Sequence, residues 1–157
     1  MQLDFAFLSQ MADFLTDDKL VAWGIGIAGL EASTMPFQAS PMALVARLLL
    51  LPEERDHGHT YAVKVIYPNG EETFLCQDEP LNTRHRSPGQ PSGANLLVSL
   101  TIFYSSAGVY RFQLLLDGHT VKDIPLEVFH VPGPAGHTSL TEASQDADGT
   151  RPSTIRT

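Results

Sequence analysis

Period-two alternation of large apolar and polar side chains runs through the second half of the chain. In residues 60–67, Tyr61, Val63, Val65 and Tyr67 fall on one face and Lys64 on the other. Asn69-Gly70 follows, and Asn-Gly accepts the positive φ angles of a tight turn, so 60–67 is predicted to pair with 72–77 as a hairpin. Residues 94–104 place Leu96, Val98, Leu100, Ile102 and Tyr104 on one face. Residues 109–116 turn Tyr110, Phe112, Leu114 and Leu116 inward and Arg111 and Gln113 outward. Asp117-Gly118 is a second hairpin signal, and the closing strand 119–130 points Ile124, Leu126 and Val128 inward. Pro125 lacks a ladder donor, which predicts an edge or a bulge there.

The first half is less regular. Residues 3–8 read as a short strand, followed by an irregular or helical turn through Met11–Leu15, because Leu3, Phe7, Met11 and Leu15 keep helical spacing. Residues 20–30 read as one strand, with Val21, Trp23, Ile25 and Ile27 on one face and Ala22, Gly24, Gly26 and Ala28 on the other. Pro36 and Pro41 make 31–41 a loop, 42–51 is a buried strand, and 52–59 and 78–93 are polar loops. From 132 onward only Leu140 and Ile155 are large aliphatics, too few to offset the entropy of ordering. The pattern therefore predicts an all-β domain over 1–131, an antiparallel immunoglobulin-like β-sandwich of seven to eight strands, and a disordered C-terminal tail over 132–157.

Composition narrows the function classes. Ten basic against 18 acidic side chains give a net charge of −8, which argues against bulk-charge binding to nucleic acid or to an anionic membrane surface. The single cysteine, Cys76, excludes an internal disulfide framework and a four-cysteine zinc site. The N-terminus lacks a basic start and Asp4 and Asp13 interrupt its apolar stretch, so a signal peptide is not expected. The longest apolar run, Met42 to Leu51, contains Arg47 and is about half a membrane span. A cytoplasmic location is the expectation.

Ser105-Ser106-Ala107-Gly108-Val109-Tyr110-Arg111-Phe112, with Leu114 to Gly118 and Ile124 to Val128 after it, resembles the closing hairpin of immunoglobulin-like domains. There a Gly-x-Tyr opens the penultimate strand and the Tyr hydroxyl bonds back to upstream backbone. The antibody disulfide pair is missing, so the resemblance implies architecture alone. Asp4-Phe5-Ala6-Phe7, Lys19-Leu20 with Gly24, Pro36-Phe37-Gln38-Ala39 and Gly108 to Phe112 together resemble an uncharacterised family of small bacterial proteins, over about residues 3–130. These motifs are structural, so the resemblance implies a fold and no activity.

Gly24-Ile25-Gly26-Ile27-Ala28-Gly29 matches G-x-G-x-x-G, but Pro36 leaves no room for the helix that would hold a pyrophosphate. His57-Gly58-His59 with Glu54 offers alternate ligands on an extended segment, a candidate metal site that needs a third strong ligand from elsewhere. Phe74-Leu75-Cys76-Gln77 shows no activating context, so Cys76 reads as a free thiol. Arg84-His85-Arg86 is a basic cluster that suits a polar partner. The small-residue face Ala22, Gly24, Gly26 and Ala28 suits close approach of another backbone and is the candidate interaction face. No catalytic set and no cofactor are assigned. The sequence reading is a non-catalytic binding or structural module that contacts a protein partner or a second copy of itself. The alternatives are a metal-binding protein or metal-dependent enzyme using the His57/His59 loop, and a small-ligand carrier.

Overall fold

The computed structural model describes residues 1–16, 19–51, 54, 57–82 and 92–132. Arg84, His85 and Arg86, and the expected tail from residue 133 onward, lie outside the described residues. The described chain is all-β, with nine strands: β1 (Gln2–Thr16), β2 (Lys19–Ile25), β3 (Gly29–Ala32), β4 (Phe37–Leu50), β5 (Thr60–Ile66), β6 (Glu72–Pro80), β7 (Ser92–Tyr104), β8 (Gly108–Leu116) and β9 (His119–His130). They form a four-stranded sheet in the order β2-β1-β4-β7 and a five-stranded sheet in the order β3-β9-β8-β5-β6. Among the described residues no helix is long and apolar enough to cross a membrane.

The core lies between the sheets and follows the alternation of the sequence. Leu8, Leu44 and Leu48 from the four-stranded sheet meet Val63, Val65, Tyr110, Phe112, Leu114, Leu126 and Val128 from the other, all fully buried. Rings cross the interface as a continuous series. Phe37 stacks on Tyr104 at 5.1 Å, Tyr104 meets Tyr110 edge-on at 4.9 Å, and Tyr110 meets Tyr67 at 5.7 Å. The Tyr110 hydroxyl donates to the Ser106 carbonyl at 2.9 Å, the back-bond that the Gly-x-Tyr motif implies.

Both hairpins form where the turn residues stand. Asp117 (φ +48°) and Gly118 (φ +79°) make a two-residue turn between Leu116 and His119. The Asn69-Gly70 turn is longer, because Tyr67 rather than Asn69 closes it. The Tyr67 N–H donates to the Glu71 carbonyl at 2.8 Å, and Asn69 Oδ1 accepts from the Glu71 N–H at 3.0 Å.

The first half of the chain departs from expectation. The strand count exceeds seven to eight because the single strand predicted over 20–30 is two, β2 and β3, and β4 begins within the predicted loop 31–41. Pro41 is accommodated at a register shift in β4 between Ala39 and Met42, where the ladder is already interrupted. The predicted turn through Met11–Leu15 is instead the second half of a single 15-residue strand, β1. The sheets are not purely antiparallel, since β3 runs parallel to β9, Gly29 opposite Glu127 through Ala32 opposite His130. That pairing accounts for Pro125. The Glu127 N–H donates outward to the Ala28 carbonyl at 2.9 Å, and Pro125, two residues earlier, faces the same way just before β3 begins. Its missing donor therefore falls where β9 has no neighbour on that side.

Candidate functional site

β1 is longer than the body it belongs to. Its first half pairs with β4 as far as Ser9–Ala43, and its second half pairs only with β2. The far half of β1 and β2 thus leave β4 as a two-stranded arm. Met11 stands opposite Trp23 and Asp13 opposite Val21 on one face, and Ala12 opposite Ala22 and Phe14 opposite Leu20 on the other. Both faces carry large apolar side chains, with Asp13 beside them on the first, whereas a hairpin covered on one side is apolar on that side only. Its large side chains lie open to solvent: Trp23 is 53% exposed, Met11 51%, Ile25 61% and Leu15 65%.

Between the arm and the start of β4 the strands diverge and leave an open cleft of about 500 Å³. Met11, Trp23, Ile27, Leu30, Phe37 and Met42 give it apolar walls, and Gln10, Gln38 and Glu31 supply polar groups. The size lies within the range of small-molecule and side-chain pockets, roughly 300–1,000 Å³.

The glycines of the predicted small-residue face build this region in another way. Gly24 (φ +61°) and Gly26 (φ +77°) are left-handed, so they break the alternation rather than extend it. A Cβ on Gly24 would stand 2.7 Å from Gln10 Oε1, so the glycine lets Gln10 lie against the backbone. The N–H groups of Gly26 and Ile27 both donate to the Leu8 carbonyl, at 2.9 and 3.3 Å. The chain here passes from β2 in one sheet to β3 in the other. Ala22, Gly24, Gly26 and Ala28 therefore do not form one flat face. Ala22 is half-buried within β2, while Gly24, Gly26 and Ala28 are exposed along the sheet switch. On the opposite, large-residue face Trp23 and Ile25 are open to solvent, while Val21 and Ile27 are half-buried.

The apolar surface extends along the outer side of the four-stranded sheet. Phe5, 39% exposed, stacks on Phe7 at 5.5 Å, and Phe103 is 64% exposed; Val45, between Phe7 and Leu97, is fully buried, and the exposed Arg47–Asp4 pair stands beside Phe5. The outer side of the five-stranded sheet carries charged pairs together with exposed Phe74 and Val109. Arg111 donates to Asp123 through Nε at 3.2 Å and Nη2 at 2.5 Å, Gln113 adds a bond to Asp123 at 3.2 Å, and Lys64 pairs with Glu72 at 2.8 Å.

The candidate metal ligands are held apart by other partners. Glu54 accepts from the N-terminal ammonium and from the Leu51 N–H at 3.0 Å, and these bonds hold its carboxyl below the usual carboxylate range. His59 Nδ1 lies 2.8 Å from Asp117 Oδ2. His57 has an interaction of its own. Among the described residues no group of three His, Cys, Asp or Glu side chains converges on a metal position. His57, His59 and Glu54 thus do not form the expected ligand set. What forms instead is a histidine–carboxylate pair whose second nitrogen, His59 Nε2, is buried without a hydrogen-bond partner. Burial pushes the half-buried Cys76 thiol up, as suits an unreactive cysteine.

Asp117 carries a pH dependence. Burial would raise its carboxyl, but hydrogen bonds from the Thr60 N–H at 2.9 Å and from His59, with the charges of His59 and His119, outweigh it and hold the group below its ordinary value. A depressed carboxylate adds stability above its unfolded pKa of about 3.9 and loses it as pH falls through the folded value. We expect Asp117→Asn to be less stable than the parent at neutral pH and the two melting temperatures to converge below about pH 4. A constant gap down to pH 2.5 in thermal melts would contradict that origin.

A family model described as a family of unknown function (DUF6941) matches residues 4–129. No curated protein matches the chain.

Proposed function

The chain belongs to that family of unknown function (DUF6941), and on this footing we propose that it is a non-catalytic binding module, immunoglobulin-like in architecture, that holds a protein partner on the β1–β2 arm and its cleft. One observation carries the reading: an arm with large apolar side chains on both faces, with Trp23 and Met11 side by side and half exposed beside a cleft. A partner that covers the arm removes this surface from water at about 25 cal/mol per Å² of apolar area. The immunoglobulin-like assignment draws support from the Tyr110 back-bond to Ser106. The cleft itself favours a second reading, a small apolar ligand gripped by Trp23 and Phe37.

A photoactivatable residue at Trp23, in the native host, should give one discrete protein adduct. The same residue at Gln113, on the five-stranded sheet, should give none. Equal adducts from both positions, or none from Trp23, would sink the reading. An adduct of small-molecule mass would favour the carrier.

A further inference from the structure

The outer strands of the two sheets are β2, β7, β3 and β6. An open strand edge offers unpaired N–H and C=O groups to any other strand, and proteins blunt such edges with charge, proline, bulges or shortness. β3 has four residues and carries Glu31. β6 carries Glu72, Asp78, Glu79 and Pro80, and its register shifts against β5. β2 opens on Lys19 and is bent by the left-handed Gly24. β7 has no charge or proline, and the register shift of its pairing with β4 places the extra residue in β4. It runs 13 residues, SGANLLVSLTIFY.

The stretch Leu96–Tyr104 of β7 is also complementary to itself. In an antiparallel pairing centred on Leu100, Phe103 stands over Leu97, Thr101 over Ser99 and Ile102 over Val98 of the other copy, and Leu100 meets Leu100. Apolar side chains then oppose apolar ones and hydroxyl opposes hydroxyl, the pairings that stabilise adjacent strands. The contact also avoids a local clash of charge. Each copy carries −8, yet the contact places no like charges together. Phe103, 64% exposed, gains a partner on both sides of the two-fold axis.

We propose that β7 of one copy pairs antiparallel with β7 of a second copy about an axis at Leu100, joining the two four-stranded sheets into one. This contact lies at the edge of the sheet opposite the arm, so it stands or falls independently of the binding surface around Trp23.

Sedimentation of the full chain from low to high micromolar concentration tests the pairing. The parent should be a dimer. The variant Ser99→Lys/Thr101→Lys changes two exposed, outward-facing positions and should be monomeric over the same range with an unchanged melting temperature. A parent that stays monomeric, or a folded lysine variant that stays dimeric, overturns the proposal. The register has its own test in a Cys76→Ser background, which decides even where the lysine variant fails to fold. A mixture of Ser99→Cys chains and Thr101→Cys chains under oxidised glutathione should give the mixed disulfide dimer in excess over either homodimer. Homodimers in excess, or no disulfide dimer, overturn it.

Discussion

Replacing Phe112 by alanine should lower the stability of the domain by about 3–5 kcal/mol, the range for a large aromatic truncated in a core that cannot collapse. Phe112 is fully buried in β8, with Val65 of β5 on one side and Ile124 of β9 on the other. Its ring fills the centre of the five-stranded sheet's inner face, opposite the buried leucines of β4. Strands on both flanks are tied by backbone ladders, so the void stays open and the neighbours lose their contacts outright. A domain stable by about 5–15 kcal/mol loses a large part of its margin. Urea unfolding should show the midpoint falling at unchanged slope. The informative comparison is Trp23→Ala, which removes a larger side chain from a position 53% exposed. It should cost well under half as much, about 1 kcal/mol or less, as expected for a substitution outside the core. Comparable losses from the two would mean that the arm is packed within the domain, and the contact surface assigned to it would go.

That comparison also marks where the sequence stopped being legible. β5, β7, β8 and β9 each have one buried face and one wet face, so their alternation names both the strand and its inward side. Tyr110, Phe112, Leu114, Leu116, Leu126 and Val128 are buried as expected. The arm breaks the premise. With Met11 and Trp23 on one face and Phe14 and Leu20 on the other, both faces carry large apolar side chains, and the period of two is erased. Met11 and Leu15 then fit helical spacing as well as extended spacing, which is why a turn was expected in the middle of β1.

The rule that large apolar side chains belong inside does not hold for Trp23 and Ile25, which are 53% and 61% exposed. The rule fails wherever the apolar partner is another molecule, because one chain's pattern does not separate a face that folds inward from a face that docks outward. Gly24 and Gly26 were visible but were read for their small size. Their positive φ angles matter more, since they carry the chain from one sheet to the other. The parallel β3–β9 pair could not be read because four residues, Gly29–Ala32, carry too short a pattern to mark a strand. The His59–Asp117 pair joins residues 58 positions apart, and only the closing of the Asp117-Gly118 hairpin beside β5 brings them together.

Gly108→Ala should destabilise the domain by about 2–4 kcal/mol, from two sources that can be separated. Gly108 opens β8 at φ +138°, a backbone region reserved for glycine, and its Cβ would stand 2.9 Å from Pro68 Cβ. Neither neighbour can yield cheaply. Pro68 belongs to the turn closed by Tyr67 and Glu71, and Tyr67 packs edge-on against Tyr110 two residues beyond the glycine. Moving the start of β8 instead strains the Tyr110–Ser106 bond and the pairing of Gly108 with Val128. Gly118→Ala supplies the control. Gly118 has φ +79° with nothing within 4 Å of a Cβ, so only the conformational cost applies there, about 1–2 kcal/mol. Combining Gly108→Ala with Pro68→Ala separates the remainder, since shortening the proline relieves part of the contact and leaves φ unchanged. A double-mutant cycle on thermal melts should therefore show coupling of about 1 kcal/mol, with the double variant less destabilised than the two single losses summed. Full additivity would place the whole cost in the backbone angle, and Gly108 would then act through its conformation alone, without gripping the β5–β6 turn.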